Sequence, residues 1–431
     1  MSADNVSVVR YQDSFANIAR AVQSIEGFTG LKPTDHVLLK PNLVMWDEVY
    51  PFPKYGVLTS SVLVAGIVRL LKEYGCSKIT IGEGSITDSD LGSGTKEAFA
   101  GLGYKQLVKR YGVELVDFND GPFERVYFDD YALDISSHAL QTDFLVNLPV
   151  LKTHSSTKVS LGFKNLKGCL HTRSKMFCHS KDRSLDAFIW KLAEKIKPAL
   201  TVIDGIYALE KGPVMNGRAY RTDLLIASRD MFAADVIGAE ILGFAADDIA
   251  HLQAYAQKHG LSRGKIQTVG AEIADVTHPL EWDWAWLEDN SGPEAFARQG
   301  IKDIYFPKYD NTLCSGCSYL NNFMLVTLMG AYARRPFKGM EFLGGKDTFS
   351  RGGYDKTFLF GKCAIHQNAG NVAISEAVAI RGCPPGQKRI LEVLREHGIP
   401  ADTKAYAVYR ASLYNRYEGN ADFKEEHFQV L

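Results

Sequence analysis

The sequence lacks a long apolar run. No stretch approaches the roughly 20 apolar residues that a membrane helix needs, so no membrane partner is expected. It also lacks an excess of either charge, with 49 Lys and Arg against 50 Asp and Glu. A general nucleic-acid binder shows a basic surplus and a disordered acidic chain shows the reverse, so neither class is expected. The start, MSADNVSVVR, lacks the basic stretch and apolar core of a secretory leader. A cytoplasmic location follows as the expectation. Cysteine is scarce and odd in number, at seven. In a reducing compartment that excludes a disulfide framework and leaves metal ligation, catalysis or packing. Nucleotide fingerprints are missing too. The glycines of GEGS (82–85) and GLGYKQ (101–106) match neither a phosphate-binding loop nor a dinucleotide-binding turn. There is no internal repeat and no low-complexity tract.

What is present is a rhythm of strands and helices. Apolar runs at 6–9, 36–40, 78–84, 113–118, 143–148, 200–206 and 223–228 read as strands. Helical spacing appears at 15–25, 59–74, near 95–110, 184–196, 231–242 and 247–259. In the clearest helix, Thr59 or Ser60 is the start signal and Gly75 the stop. Alternation of this kind predicts an α/β fold with a mainly parallel layered sheet and helices on both faces. Residues 1–270 are read as one α/β domain that binds substrate. The acidic, Trp-rich stretch within 271–310 is read as a connecting segment. Residues 311–431 are read as a smaller, α+β, cysteine-bearing domain.

The polar residues of interest cluster at strand ends, where ligands of such sheets bind. They are Lys40 and Asn42, Glu83, Lys152 and His154, and Asp204. The segment LVNLPVLKTHSSTKVSLGFKNLKGCL (145–170) is the densest. After a buried strand it delivers Lys152, His154, Lys158, Lys164, Asn165 and Lys167. Ionised lysines are rarely buried unless paired. A solvated basic loop is the plain reading of such a run. Oriented donors on His154 and Asn165 favour an anion site instead. Period two puts Lys152 and His154 on one face. His154 or Glu83 is the candidate for moving protons.

Four cysteines fall in the last third. Cys314 and Cys317 form a C-x2-C pair, and Cys363 and Cys383 stand far downstream. Four thiolates hold either an iron–sulfur cluster or a zinc ion. Zinc ribbons repeat C-x2-C at short spacing, whereas this dispersed set, with Pro after Cys383, suits a [4Fe–4S] cluster better. Zn2+ and plain packing remain the alternatives. Cys169-Leu-His171 and Cys178-His179 are irregular in spacing and read as structural, as does Cys76.

LVNLPVLKTH followed by TKVSLGFKNLKG resembles the signature of the family known as domain of unknown function 362. KPNLV (40–44), IGEGS (81–85), TVIDGI (201–206) and AADVIGAEILG (233–243) extend the likeness over roughly 5–270. The family is often joined to ferredoxin-like segments, which implies a cluster here. One scattered cysteine set departs from the two compact runs of such segments. The reading is an iron–sulfur oxidoreductase that passes electrons to an anionic organic substrate in a Lys/His/Asn cleft. An electron-donor protein and a homodimer are its expected partners. Its rivals are an electron carrier or accessory protein without its own substrate, a non-redox isomerase or lyase, and a zinc-stabilised transferase.

Overall fold

The computed structural model describes residues 5–88 and 92–430. Its main sheet contains β1 (Asn5–Arg10), β2 (His36–Pro41), β3 (Lys78–Glu83), β4 (Glu114–Asp117), β7 (Phe144–Leu148), β8 (Val150–His154), β9 (Lys158–Val159), β10 (Leu200–Leu209), β11 (Ala219–Ser228) and β12 (Gln267–Gly270). A separate hairpin pairs β5 (Phe123–Tyr127) with β6 (Ala132–Ser136). The order across the main sheet is β12-β1-β11-β10-β7-β2-β3-β4, with β8 beside β10 and β9 beside β8. The ladders β10-β7, β7-β2, β2-β3 and β3-β4 are parallel, while β11 runs antiparallel to both β1 and β10. The carboxyl ends of β2, β3 and β7 therefore share one edge, and the chain leaving β7 runs straight into β8.

Alternation along the strands explains the layering. Val37 and Leu39 pack with the helices Phe15–Gln23 and Ser61–Tyr74 on one face. Leu38, Leu145, Ile203 and Ile226 pack with Leu185–Ala193 and Met231–Ile241 on the other. Side chains of a strand alternate between faces, so a sheet covered on both sides needs near-continuous apolar strands. Ser60 stands at the N-cap position of the helix Ser61–Tyr74 without a side-chain capping bond, and Gly75 ends the helix in the left-handed region (φ 105°).

The second sheet is β13 (Ile304–Tyr305), β14 (Met340–Gly344), β15 (Lys356–Phe360) and β16 (Ala377–Ile380), in that order. All three ladders are parallel. The smaller unit is therefore an α/β layer and not the α+β unit expected. Parallel strands need crossovers; the helices Ser315–Arg334 and Gly361–Gln367 carry the first and last of them, and residues 345–355 carry the middle one as a loop. Its first strand lies inside the stretch read as a connection. The chain also returns to the main unit at its end. Leu413, Tyr417, Phe428 and Val430 are buried in the first core.

Among the described residues no helix is long and apolar enough to cross a membrane.

Candidate active-site cleft and thiol pocket

A cavity of about 1120 Å³ opens over the carboxyl edge of the main sheet, with the second unit as its far wall. Its floor is a bonded chain of side chains. Lys40 Nζ donates to Glu83 Oε2 (2.7 Å), to Asn165 Oδ1 (3.1 Å) and to the Pro41 carbonyl (3.0 Å). Asn42 Nδ2 donates to the same Asn165 oxygen (3.0 Å), and Asn165 Nδ2 donates to Asn147 Oδ1 (2.8 Å). Lys152 Nζ donates to Asn42 Oδ1 (2.7 Å) and to the carbonyls of Val57 (2.8 Å) and Pro213 (3.2 Å). Burial pulls the Lys152 amine down to about 7. Its three acceptors satisfy each proton of an ammonium, so we assign it as charged.

Glu83 is committed on both oxygens. Besides Lys40, it accepts from the amides of Leu43 (3.0 Å) and Gly84 (2.7 Å). The carboxylate is thus the counter-ion of Lys40, which removes much of its freedom to act as a base. Gly168 closes the KNLKG turn directly over this pair. A Cβ there would collide with Glu83 Oε1 and Lys40 Nζ, so only glycine lets the turn approach.

The turn that follows β8 is pinned from below. Asp235 accepts from the amides of Gly162 (2.7 Å) and Phe163 (2.9 Å), the first residues of the short helix that carries Lys164 and Asn165. Burial pushes the Asp235 carboxyl up to about 7, and the two amides oppose that shift. Lys164 Nζ lies 3.0 Å from His154 Nε2, and Lys167 Nζ lies 2.9 Å from His179 Nε2. Burial and then the adjacent Lys164 hold His154 well below its ordinary range. Burial and then Lys167 do the same to His179. Lys175 also faces the cavity, donating to the Gly84 carbonyl (2.6 Å), and burial lowers it to about 8.

Lys40, Asn42, Glu83, Lys152, His154, Lys164, Asn165 and Lys167 therefore meet in one wall of the cavity. Two expected residues do not. Lys158 stands outside that wall, at positive φ (60°) on the β9 edge, where its backbone registers with His154. Asp204 is buried away from the cavity. It accepts from the amides of Ser60 (2.6 Å) and Ile206 (3.1 Å), so its carboxylate anchors a helix start.

The far wall of the cavity carries apolar side chains among charged ones such as Arg298, Arg334 and Asp402. Leu320, Leu325, Val326 and Met329 of the helix Ser315–Arg334 line it, together with Trp284 and Trp286. The sequence reading missed these walls, as it missed His179, Lys175 and Asp235. For Asp235 a signal existed. It is the lone carboxylate in the first two turns of an otherwise apolar helix, MFAADVIGAEI.

A second cavity, of about 250 Å³, is lined by Cys314, Cys317, Cys363 and Cys383 together. Cys314 caps the helix Ser315–Arg334 and Cys317 sits in its first turn. Cys363 lies on the helix Gly361–Gln367, and Cys383 follows β16. The Cys317 thiol hydrogen-bonds to Cys314, which lowers Cys314 and raises Cys317. A helix N-terminus favours such a thiolate as well. Gly361 has φ 79°, and a Cβ on it would stand 3.7 Å from Cys317 Sγ. The thiols stand around a space and not around a point. Among the described residues no three His, Cys, Asp or Glu side chains converge on one ion. The two cavities share Met176, Leu313, Cys314 and Cys383 as walls. His179 Nδ1 reaches the Asn311 carbonyl (2.7 Å), and Lys346 Nζ reaches the carbonyls of Met176 (3.0 Å) and His179, tying cleft to pocket.

Cys169 and Cys178 are buried in the core. Burial raises their thiols to about 12 and about 11. Both are inert packing, as the spacing suggested.

A family model described as "Domain of unknown function (DUF362)" matches residues 37–240. A thylakoid-associated protein, sll1697, from Synechocystis sp. (strain ATCC 27184 / PCC 6803 / Kazusa) is 31% identical over 256 residues, covering 58% of this chain and 75% of that protein. The solved lactate racemase apoprotein from Thermoanaerobacterium thermosaccharolyticum aligns with a TM-score of 0.38 and 14% identity. That alignment covers 55% of this chain and 56% of the racemase chain.

Proposed function

This chain belongs to the family described as "Domain of unknown function (DUF362)", and on that premise we propose that it is an iron–sulfur oxidoreductase acting on an anionic organic substrate. The observation that carries the reading is the shared wall. Cys314 and Cys383 border both the thiol pocket and the lysine cleft. Cys314, Cys317, Cys363 and Cys383 would hold a [4Fe–4S] group, which supplies single electrons when bound. Their placement around a cavity supports this over zinc, whose four sulfurs must lie about 2.3 Å from one point.

The protein's own groups do the rest. Lys152 and Lys167 supply positive charge for a carboxylate or phosphate. Lys40 is neutralised by Glu83 and sets the floor. His154 and His179 are uncharged and stand at hydrogen-bond distance from lysines, which suits them to hold or pass a proton. The apolar side chains of Trp284, Trp286 and Met329 would take the hydrocarbon part of the substrate. A carrier without its own substrate has no use for a cavity of about 1120 Å³ beside its thiols. Cys383 is exposed, which would leave the group open to an electron-donor protein.

Anaerobic purification with iron, acid-labile sulfide and zinc assays tests this, with EPR after dithionite. About four irons and four sulfides per chain with a reducible signal is the expected result. About one zinc per chain, or no metal at all, would remove the redox reading.

A further inference from the structure

Two lysine–histidine pairs face the cleft, and their bonding has opposite polarity. His179 Nδ1 sits 2.7 Å from the Asn311 carbonyl, an acceptor only, so Nδ1 carries the proton. Nε2 then accepts, and Lys167 is the donor. In the other pair, His154 Nδ1 receives the backbone N–H of Ser156 at 3.0 Å, so Nδ1 carries no proton. A neutral imidazole must hold its proton on the other nitrogen. His154 Nε2–H therefore points at Lys164 Nζ, 3.0 Å away. The lysine nitrogen can accept only if it is an uncharged amine.

The surroundings agree. Desolvation, then Lys167 and Lys152, depress Lys164 well below its ordinary range, against Asp186 and Cys178. Lys164 lies deep in the protein yet keeps surface open to the cavity. A desolvated lysine beside other cations is how an amine is made nucleophilic at neutral pH.

We infer that Lys164 is the nucleophile of the cleft and forms an imine with the carbonyl carbon of an anionic oxo compound. The nitrogen adds to the carbonyl carbon and the C=O π bond opens onto oxygen. One amine proton passes to that oxygen. The oxygen then leaves as water with the second amine proton, and C=N remains. No other reactant enters the balance. The His154 N–H holds the lone pair until a carbonyl displaces it. Lys167 has, among the described residues, His179 as its one side-chain partner, which leaves N–H free for the substrate's anionic group. The inference rests on the anion-cleft part of the proposed function and is independent of any metal.

The test is borohydride trapping on the full chain, with glyoxylate as the anionic probe and acetaldehyde as the neutral one. Modified lysines are mapped by mass spectrometry. Glyoxylate should label Lys164 at least about tenfold more than exposed Lys105 at pH 7. From pH 6 to pH 9 labelling of Lys164 should stay nearly flat, whereas that of Lys105 climbs about tenfold per unit. An unlabelled Lys164, or one that climbs with Lys105, overturns the proposal. Equal labelling of Lys164 by both probes upholds the amine and counts against the anionic cleft. Because the wild-type chain is the reagent, no variant has to fold.

Discussion

The cation floor and the thiol pocket share a wall but are built on different terms. Every lysine of the floor is held by a named partner from another part of the chain. Lys40 has Glu83, Lys152 has Asn42 and two carbonyls, Lys164 has His154, and Lys167 has His179. The thiols sit at helix starts and loop ends, and Cys383 is exposed. A buried ion left unpaired is heavily penalised, so the partners of Lys40 and Lys152 must be in place before the fold is stable. The raised thiols of Cys317 and Cys363 carry no such penalty and tolerate an open neighbour. The floor is locked by its own bonds; the pocket is less tightly bound.

That contrast breaks or sharpens under substitution. Lys40→Met strands the Glu83 carboxylate and should destabilise by about 3–5 kcal/mol in urea unfolding. Cys363→Ser, in the metal-free protein, should stay within about 0.5 kcal/mol. Similar losses in the two variants would erase the difference. Asp235 gives the next effect. Its folded carboxyl, pushed up to about 7 from 3.8, keeps a proton that the unfolded chain has lost. Stability should therefore fall as pH rises from about 4 to about 7, by a few kcal/mol at most. Asp235→Asn should flatten that slope, and a slope unchanged in the variant would place its cause elsewhere. Lys167→Gln removes one charge-assisted bond and should weaken sulfate binding about tenfold by calorimetry. Arg69→Ala, at an exposed i,i+4 pair with Glu73, should cost no more than about 0.5 kcal/mol. A larger loss would mean that surface pairs here matter as buried ones do.

Much of the sheet was legible because its strands are apolar on both faces, and a run such as FLVNL leaves few other readings. The lysine cleft was legible for a related reason: charge directly after a buried strand has few places to go. Asp204 misled because a carboxylate at a strand end looks the same whether it faces a ligand or a helix amide. Lys158 misled because the chain turns through positive φ at that residue, which no local pattern announced. The small sheet was missed as a parallel layer since β13 is two residues long and its helix Ser315–Arg334 is apolar on more than one side. His179 entered the cleft through a bond to Asn311, 132 residues away. Pairings at that range leave no mark on neighbouring residues.

Asp47 and Arg410 make one more such pairing, at 2.9 Å and 363 residues apart, with Tyr319 also on the carboxylate. Both partners are buried. During synthesis at about 5–20 residues per second, the aspartate waits roughly 20–70 s for its arginine. Until then its carboxylate resists dehydration, and the clasp between the two units stays open. All four pocket cysteines are made before the clasp can shut. The order of translation therefore leaves an interval in which the thiols exist and the clasp between the two units is still open.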